Sequence, residues 1–351
     1  MSGLTTTTAP ASSTNRLQTY FSRQLLEKIT PLLVFEQFAA KSDLPKNSGA
    51  KTIRFFRFKP PQTDNIQTLH DPASGTNNEG VPIDPSNYRQ LDSESVDVAL
   101  AQYGQVIGLT DISTQVDLFN LVEQAVQTNG EDAALHCDTL IRNELTKDYS
   151  GSNGSKTYLY AGVANGAGAL NTTKYNTVRN SGTYSSNYIC QPVHLLDSVT
   201  TLKTNRAPKI GGYYIAAMPP QVSRDIQNNK DVWIPVHVYN ETENVFKGEV
   251  GRIYGAKVIE HTNPFVQGGT QGTYSSSGTV FSTHVFGMGA YGVPNLASMS
   301  PFAPQVSIVK GADKADPLNQ KTLVGFKTFY ASKVLQPGWL VEIVSQSGYG
   351  N

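Results

Sequence analysis

The feature that most constrains the fold is a connection between two strand-like segments that is too long for a compact domain. The segment 51–58, "KTIRFFRF", is β-branched and aromatic and predicts a strand, and 96–110, "VDVALAQYGQVIGLT", predicts the next one. Between them, residues 60–95 contain five prolines and show no sustained periodicity. Structureless connections of this length are uncommon inside compact domains. We therefore expect a long, two-armed excursion from the body of the molecule.

The two arms of this excursion carry opposite charge. Residues 41–60 hold six basic residues and one acid, and residues 84–117 hold six acids and one basic residue. We expect the arms to pair with each other or with a neighbouring molecule, because a lone hairpin is marginal in water. The alternative is a solvated strand face, since exposed ion pairs contribute little. The candidate contact residues are Arg54, Arg57, Lys59, Asp92, Glu94 and Asp97.

The chain as a whole is neutral, with 28 basic and 28 acidic residues among 351, a length that suggests about two domains. Neutrality argues against a dedicated DNA-binding protein, because nothing in the net charge attracts a phosphate backbone or anionic lipid. Cys137 and Cys190 make neither a disulfide framework nor a CxxC ligand pair, and we interpret them as free thiols. The N-terminus lacks a basic, apolar leader and no apolar run is long enough for a membrane span, so we expect neither secretion nor membrane insertion.

Helices and strands are both predicted along the rest of the chain. The Ser/Thr-rich residues 1–15 are expected to form an extended arm that needs partners to become ordered. One apolar stripe over residues 115–146 predicts a long helix, with Asn129 and Gly130 as its weak point. Shorter helices are predicted at 16–30, 193–204 and 220–229, and strands at 211–220, 246–264, 279–292, 323–335 and 339–346. The mixture predicts an α+β protein with little parallel-sheet character.

The segment "GMGAYG", Gly287 to Gly292, has the spacing of a dinucleotide-binding turn and follows a predicted strand. A pyrophosphate site also needs the N-terminus of a helix, and Pro294, Pro301 and Pro304 cut the following residues into turns. We interpret the glycines as a tight turn, so an oxidoreductase is not supported.

No other motif indicates catalysis or a metal site. Asp132 and His136 face one another at helical i, i+4 spacing, but two residues do not make a closed metal site, and a solvated helix face is the simpler interpretation. The remaining histidines show no HExxH spacing, and no GxSxG nucleophile elbow is present. We therefore expect no catalytic residues, no cofactor and no bound metal.

Five segments in order resemble the major capsid proteins of tailed double-stranded DNA bacteriophages. They are residues 24–58, 106–127, 246–264, 283–296 and 316–335. The resemblance extends over most of the chain, from about residue 16 to 348, and it implies the HK97-like fold.

The resemblance also implies a division of the chain. Residues 1–48 would be the N-terminal arm with short helices, 49–110 the E-loop that reaches over a neighbouring subunit, and 111–150 the spine helix of the peripheral domain. Residues 151–300 would form the axial domain, and the strands of 301–351, with Lys327 and Ala331, would return to the peripheral domain. "GMGAYG" would then be a turn in which Gly287 and Gly292 supply backbone freedom and Tyr291 packs.

The function implied is structural: self-assembly of pentamers and hexamers into the icosahedral shell of a phage head, around double-stranded DNA held without specific contacts. Many weak contacts per subunit would supply the avidity. A separate scaffolding protein is expected because only about fifteen residues precede the first predicted helix, and a portal and decoration proteins are further partners. Assembly would take place in the host cytoplasm and the product would be the virion. The alternatives are an encapsulin-like compartment shell and a tail or other structural virion protein.

Overall fold

The structure is a computed structural model, and its described residues begin at Val34 and end at Tyr349. They are 34–44, 52–58, 70–71, 76–77, 93–116, 120–148, 155–162, 171, 178, 186–228, 234–235, 249–267, 280–296, 305–309, 318 and 320–349. The predicted arm at 1–15, the predicted helix at 16–30 and most of the excursion between 59 and 92 lie outside the described residues.

Four α-helices occur in the described residues: α1 (Asp111–Val116), α2 (Leu121–Thr146), α3 (Pro192–Thr204) and α4 (Pro220–Gln227). The first nine strands are β1 (Ala40–Leu44), β2 (Thr52–Phe58), β3 (His70–Asp71), β4 (Thr76–Asn77), β5 (Ser93–Ala99), β6 (Ala101–Thr110), β7 (Thr157–Tyr160), β8 (Tyr214–Met218) and β9 (Ile234–Pro235). The others are β10 (Glu249–Ile253), β11 (Ala256–Glu260), β12 (Val266–Gln267), β13 (Val280–Phe286), β14 (Tyr291–Leu296), β15 (Gln305–Val309), β16 (Lys321–Tyr330), β17 (Lys333–Val334) and β18 (Leu340–Ser345).

An eight-stranded mixed sheet holds most of the core. Its order is β7-β18-β13-β8-β11-β10-β9, with β12 added on β13. Successive residues of a strand point to opposite faces, and in β8 Ile215 and Ala217 pack in the cluster that contains α2, whereas Tyr214, Ala216 and Met218 pack in the cluster that contains α3 and α4. The sheet is therefore apolar on both faces and is covered by helices on both.

The helix α2 is continuous through its predicted weak point. Its 26 residues correspond to about 39 Å. Asn129 is buried, and its Nδ2 donates to the carbonyl oxygen of Val324 at 3.0 Å. The residue with poor helix propensity thus fixes the helix against strand β16. The predicted long helix is confirmed from Leu121, while Asp111–Val116 forms the separate helix α1.

A three-stranded antiparallel sheet, β15-β16-β6, packs one face against α2. All ten residues of β6 pair with β16 in one unbroken register, from Thr110 opposite Lys321 to Ala101 opposite Tyr330. A second small sheet, β1-β14-β17, joins the chain near residue 40 to the strand that begins inside "GMGAYG", through a parallel β1–β14 pair. Helix and sheet are thus mixed, and the α+β class is confirmed.

The base of the excursion is a two-stranded ribbon, β2 with β5, paired from Thr52 opposite Ala99 to Phe58 opposite Ser93. The strands predicted on either side of the long connection are therefore confirmed. Leu100 separates β5 from β6, so the second predicted strand is divided between the ribbon and the three-stranded sheet.

The structure differs from the sequence-based expectation at the residues that follow the turn at Gly287–Ala290. Tyr291–Leu296 forms strand β14 and not the proline-cut turns that were expected, because β1 and β17 pair with it on both sides. The C-terminal strands belong to different sheets: β15 and β16 join β6, whereas β18 lies between β7 and β13 in the eight-stranded sheet. The return of the C-terminal strands to a peripheral domain stays a prediction.

Candidate interaction surfaces

The charges at the ribbon base pair with each other within one chain. Arg54 on β2 and Asp97 on β5 are directly opposite, and the guanidinium binds the carboxylate through two bonds, Nε to Oδ1 at 2.6 Å and Nη2 to Oδ2 at 2.8 Å. This bidentate pair raises the pKa of Arg54 and lowers that of Asp97. Both side chains are half exposed, so the pair fixes register more than it stabilises the fold.

The second pair, Arg57 with Glu94, lies deeper and reaches the body of the molecule. Arg57 Nη2 donates to Glu94 Oε2, and the guanidinium carbon lies 5.5 Å from the ring centroid of Trp339. Trp339 is itself held by a 3.2 Å bond from its Nε1 to the carbonyl oxygen of Asn205. A cavity of about 250 Å³ adjoins this contact and is lined by Phe55 and Leu335 among others. Arg57 thus fixes the base of the ribbon to the core.

Four of the six predicted contact residues are therefore brought together by the structure, in the pairs Arg54–Asp97 and Arg57–Glu94. Lys59 and Asp92 lie outside the described residues. Contacts of these six residues with a neighbouring molecule stay a prediction.

The described structure begins beside two buried acids, Asp138 on α2 and Glu36. Asp138 Oδ1 accepts bonds from the backbone N–H groups of Val34 at 3.3 Å and Phe35 at 3.2 Å, and Tyr291 donates its hydroxyl to the Phe35 carbonyl at 2.5 Å. Burial raises the pKa of Asp138 to about 6 and that of Glu36 to about 7, the latter opposed by Lys41 at 3.6 Å. Val34 and Phe35 are thus bound to the long helix through the side chain of Asp138.

Two buried histidines lie beside this cluster, and both are neutral. Burial lowers the pKa of His261 to about 3 and that of His284 well below its ordinary value. The Phe35 ring centroid lies 5.0 Å from that of His261 and 6.3 Å from that of His284. His284 Nε2 lies 3.4 Å from the Thr146 hydroxyl. Among the described residues no three His, Cys, Asp or Glu side chains come together to hold a metal ion.

Asp132 and His136 line an open groove of about 410 Å³ between α2 and β6. Asp132 Oδ2 accepts a bond from Gln105 Nε2 at 3.2 Å, and the His136 ring stacks edge-on against Tyr103 with a centroid distance of 4.8 Å. The two residues are on one helix face, as their spacing predicts, and are partly solvated. Sequence reasoning did not find the groove itself, because it requires the pairing of β6 with β16.

The "GMGAYG" segment is a turn, but its glycines have other roles than those expected. The residue with left-handed backbone is Gly289, with φ +75°. A Cβ on Gly287 would lie 2.5 Å from the Pro208 carbonyl oxygen, and one on Gly292 would lie 2.9 Å from Leu335 Cδ1. Gly287 and Gly292 are therefore needed for close packing and not for backbone freedom. Tyr291 is buried as expected, and strand β14 follows the turn directly, which leaves no helix N-terminus for a pyrophosphate.

Cys137 and Cys190 are both free thiols, and both are buried. Their pKa values are raised by burial, so neither is a reactive thiolate. No helix in the part of the chain that the structure describes combines the length and the apolar character of a membrane span.

Comparison with solved structures identifies the fold. No protein-family profile and no curated protein match the chain. Among solved structures, the capsid of Ralstonia phage GP4 matches with a TM-score of 0.60 and 11% identity over 91% of this chain and 93% of that one. The capsid of cyanophage P-SCSP1u matches with 0.54 and 12% over 90% and 89%, and that of cyanophage Pam1 with 0.53 and 15% over 92% and 93%. This chain has the α+β, HK97-like fold of tailed-phage capsid structures.

Proposed function

We propose that this chain is the major capsid protein of a tailed double-stranded DNA bacteriophage, which self-assembles into the icosahedral shell of the head. The observation that carries the proposal is the extent of the likeness: it includes about nine-tenths of this chain and of each matched phage capsid chain. The role is structural, and we assign no catalytic step to any residue.

The exposed surface of the ribbon formed by β2 and β5 supports this function. A two-stranded ribbon is marginal by itself, and the side chain of Phe56 on β2 is 70% exposed. Contact with another copy would bury such surface, and a closed symmetric shell repeats every contact many times. In this proposal β2 and β5 belong to the E-loop, α2 to the peripheral domain, and β8, β10, β11 and β13 to the axial domain.

The partners follow from the same proposal. The first is the chain itself, in pentamers and hexamers, and the packaged DNA is contacted without sequence specificity, in keeping with zero net charge. A separate scaffolding protein, a portal and decoration proteins complete the set. Assembly would take place in the cytoplasm of the bacterial host, and the mature protein would be located in the virion.

Expression with electron microscopy of the high-mass fraction tests the proposal. The chain is expressed alone and together with the products of its neighbouring genes, and closed icosahedral shells of DNA-sized interior are expected. Shells that contain an enzyme cargo would instead indicate an encapsulin-like compartment, and tubes or rings would indicate a tail protein. A well-behaved monomer in the presence of the scaffold would overturn the capsid assignment.

A further inference from the structure

Within the described part of the chain, strand β6 is an edge strand. It is the last strand of the sheet β15-β16-β6, and no other strand of the described residues pairs with its outer side. Its ten residues, "AQYGQVIGLT", include no charged residue and no proline, and the register with β16 has no bulge. In natural proteins, lysines, prolines or bulges prevent pairing at long edge strands, because an unpaired edge strand is a template for another strand. An edge that lacks all three devices is suited to pairing with a segment of another molecule.

The groove beside this edge would receive the side chains of an added strand. Gln105 and Asp132 form its polar part, and Leu135, 47% exposed, forms its apolar part. A strand that extends the sheet points every second side chain toward α2, into this groove. The carboxylate and imidazole of Asp132 and His136 favour hydroxyl-bearing side chains, which donate and accept hydrogen bonds without adding charge.

Residues 4–8 of this chain have the matching chemistry. The sequence is Leu-Thr-Thr-Thr-Thr, uncharged, β-branched after the leucine, and followed by Pro10, which would end a paired strand. The groove can contact the apolar side chain through Leu135 and the hydroxyl groups through Asp132 and His136.

The length and the position of the N-terminal segment allow this contact. The described chain begins at Val34, whose backbone N–H is bound by Asp138 of α2, the same helix that forms a wall of the groove. Residues 9–33 can extend over as much as about 80 Å. The segment can therefore reach β6 of an adjacent copy.

We propose that residues Leu4–Thr8 of a neighbouring copy add a strand to the free edge of β6 and place alternate side chains in the Asp132–His136 groove. The occupant is a second copy because a strand added from the same chain would protect the edge without joining subunits. This inference rests on the proposed capsid function, and it names the segment and the surface of one contact between subunits.

Photo-cross-linking in assembled shells tests the contact. Benzoylphenylalanine replaces Val106, which lies in the middle of β6 and is 62% exposed, and Gln102 on the same strand serves as a second position. The control position is Val309 on β15, the opposite edge of the sheet, which is 54% exposed. Shells are assembled from an equal mixture of ¹⁴N- and ¹⁵N-labelled chains, and the cross-linked peptides are identified by mass spectrometry.

Cross-links from residue 106 or 102 to residues 1–15 are expected, with about half of the peptide pairs joining a light to a heavy chain, and few from residue 309. The double substitution Thr6→Pro, Thr8→Pro should reduce the yield at least about tenfold, because proline cannot donate to a ladder. The matched substitution Ser12→Pro, Ser13→Pro should leave the yield unchanged.

The possible results separate this inference from the proposed function. Shells in which residues 106 and 102 cross-link elsewhere, or only within chains of one label, overturn the β6 contact and leave the capsid function standing. Failure of the unsubstituted chain to form shells, even with its scaffold, overturns the capsid function and this contact with it.

Discussion

Lys156 joins three elements at one buried point. Its Nζ binds Glu342 Oε2 on β18 and donates to the Leu145 carbonyl at 2.5 Å, one of the carbonyls left unpaired at the end of α2. Glu342 also accepts a bond from Ser282 on β13 at 2.5 Å. The two side chains are 0% and 3% exposed, so removal of the cation leaves a buried, uncompensated carboxylate. We expect Lys156→Met to lower the free energy of unfolding by about 3–5 kcal/mol, measured by urea denaturation of the purified chain.

Two further variants make the Lys156 result specific. Lys203→Met removes an exposed lysine of α3 and should change stability by less than about 0.5 kcal/mol. The double variant Lys156→Met, Glu342→Met should be more stable than Lys156→Met alone, because it leaves no unpaired charge. A single variant as stable as the unsubstituted chain would show that the buried pair does not hold the end of α2.

Glu36 gives the fold a defined pH dependence. Burial raises its pKa from 4.5 to about 7. A raised pKa means that the folded chain holds the proton more tightly than the unfolded one, so this contribution is full below about pH 4 and is lost as the pH rises to 7. Glu36→Gln keeps the neutral shape at every pH. We expect the stability of the variant, relative to the unsubstituted chain, to increase by up to about 3 kcal/mol between pH 4 and pH 8.

Urea denaturation at a series of pH values measures the free energy of unfolding of Glu36→Gln and of the unsubstituted chain. Gln37 is exposed and adjacent, and Gln37→Ala serves as the control whose curve should run parallel to that of the unsubstituted chain. Parallel curves for Glu36→Gln would contradict the raised pKa.

At the residue scale, the sequence identified the charged contact residues but not the buried ones. Arg54 and Asp97 were recognisable because each lies in a segment with six charges of one sign and only one of the other. Lys156 and Glu342 are 186 positions apart, and the parallel pairing of β7, which follows Lys156, with β18 brings the two residues together. The need for glycine at 287 depends on the distant carbonyl of Pro208, which no local pattern could indicate.

Helix α2 packs against both the eight-stranded and the three-stranded sheets, and Asn129 is the position in it to test. Asn129 has poor helix propensity, yet its side chain bonds to Val324 of β16 across the core. Asn129→Ala should therefore lower the free energy of unfolding by about 1–3 kcal/mol, although alanine is the better helix former. Thr128→Ala, at an exposed position one residue earlier, should be neutral or stabilising by a few tenths of a kcal/mol.

Circular dichroism with urea denaturation measures both α2 variants. An Asn129→Ala chain as stable as the unsubstituted protein would mean that helix propensity outweighs the bond to β16.

Elements whose residues pack with a regular period were predictable, and their pairings were not. The apolar stripe of α2 and the β-branched runs of β2 and β13 determined their type from local sequence. Strand β14 was missed because Gly292 and Pro294 within it suggest turns. It exists because β1, some 250 residues earlier, pairs with it in parallel from Ala40 to Leu44. Sheet order is a property of the whole chain, and a local pattern contains no information about it.

At the scale of the whole molecule, charge reversal distinguishes ribbon charges that act within a subunit from charges that act between subunits. Arg54 and Asp97 are opposite one another in one chain, and Arg54→Asp or Asp97→Arg alone places two like charges there. We expect each single variant to reduce shell yield and the double variant to restore it. A mixture of the two single variants should stay as low as either one, because a pair within a chain cannot be rebuilt between chains. Sedimentation of the assembled fraction measures the yield, and recovery in the mixture would instead assign the pair to the contact between subunits.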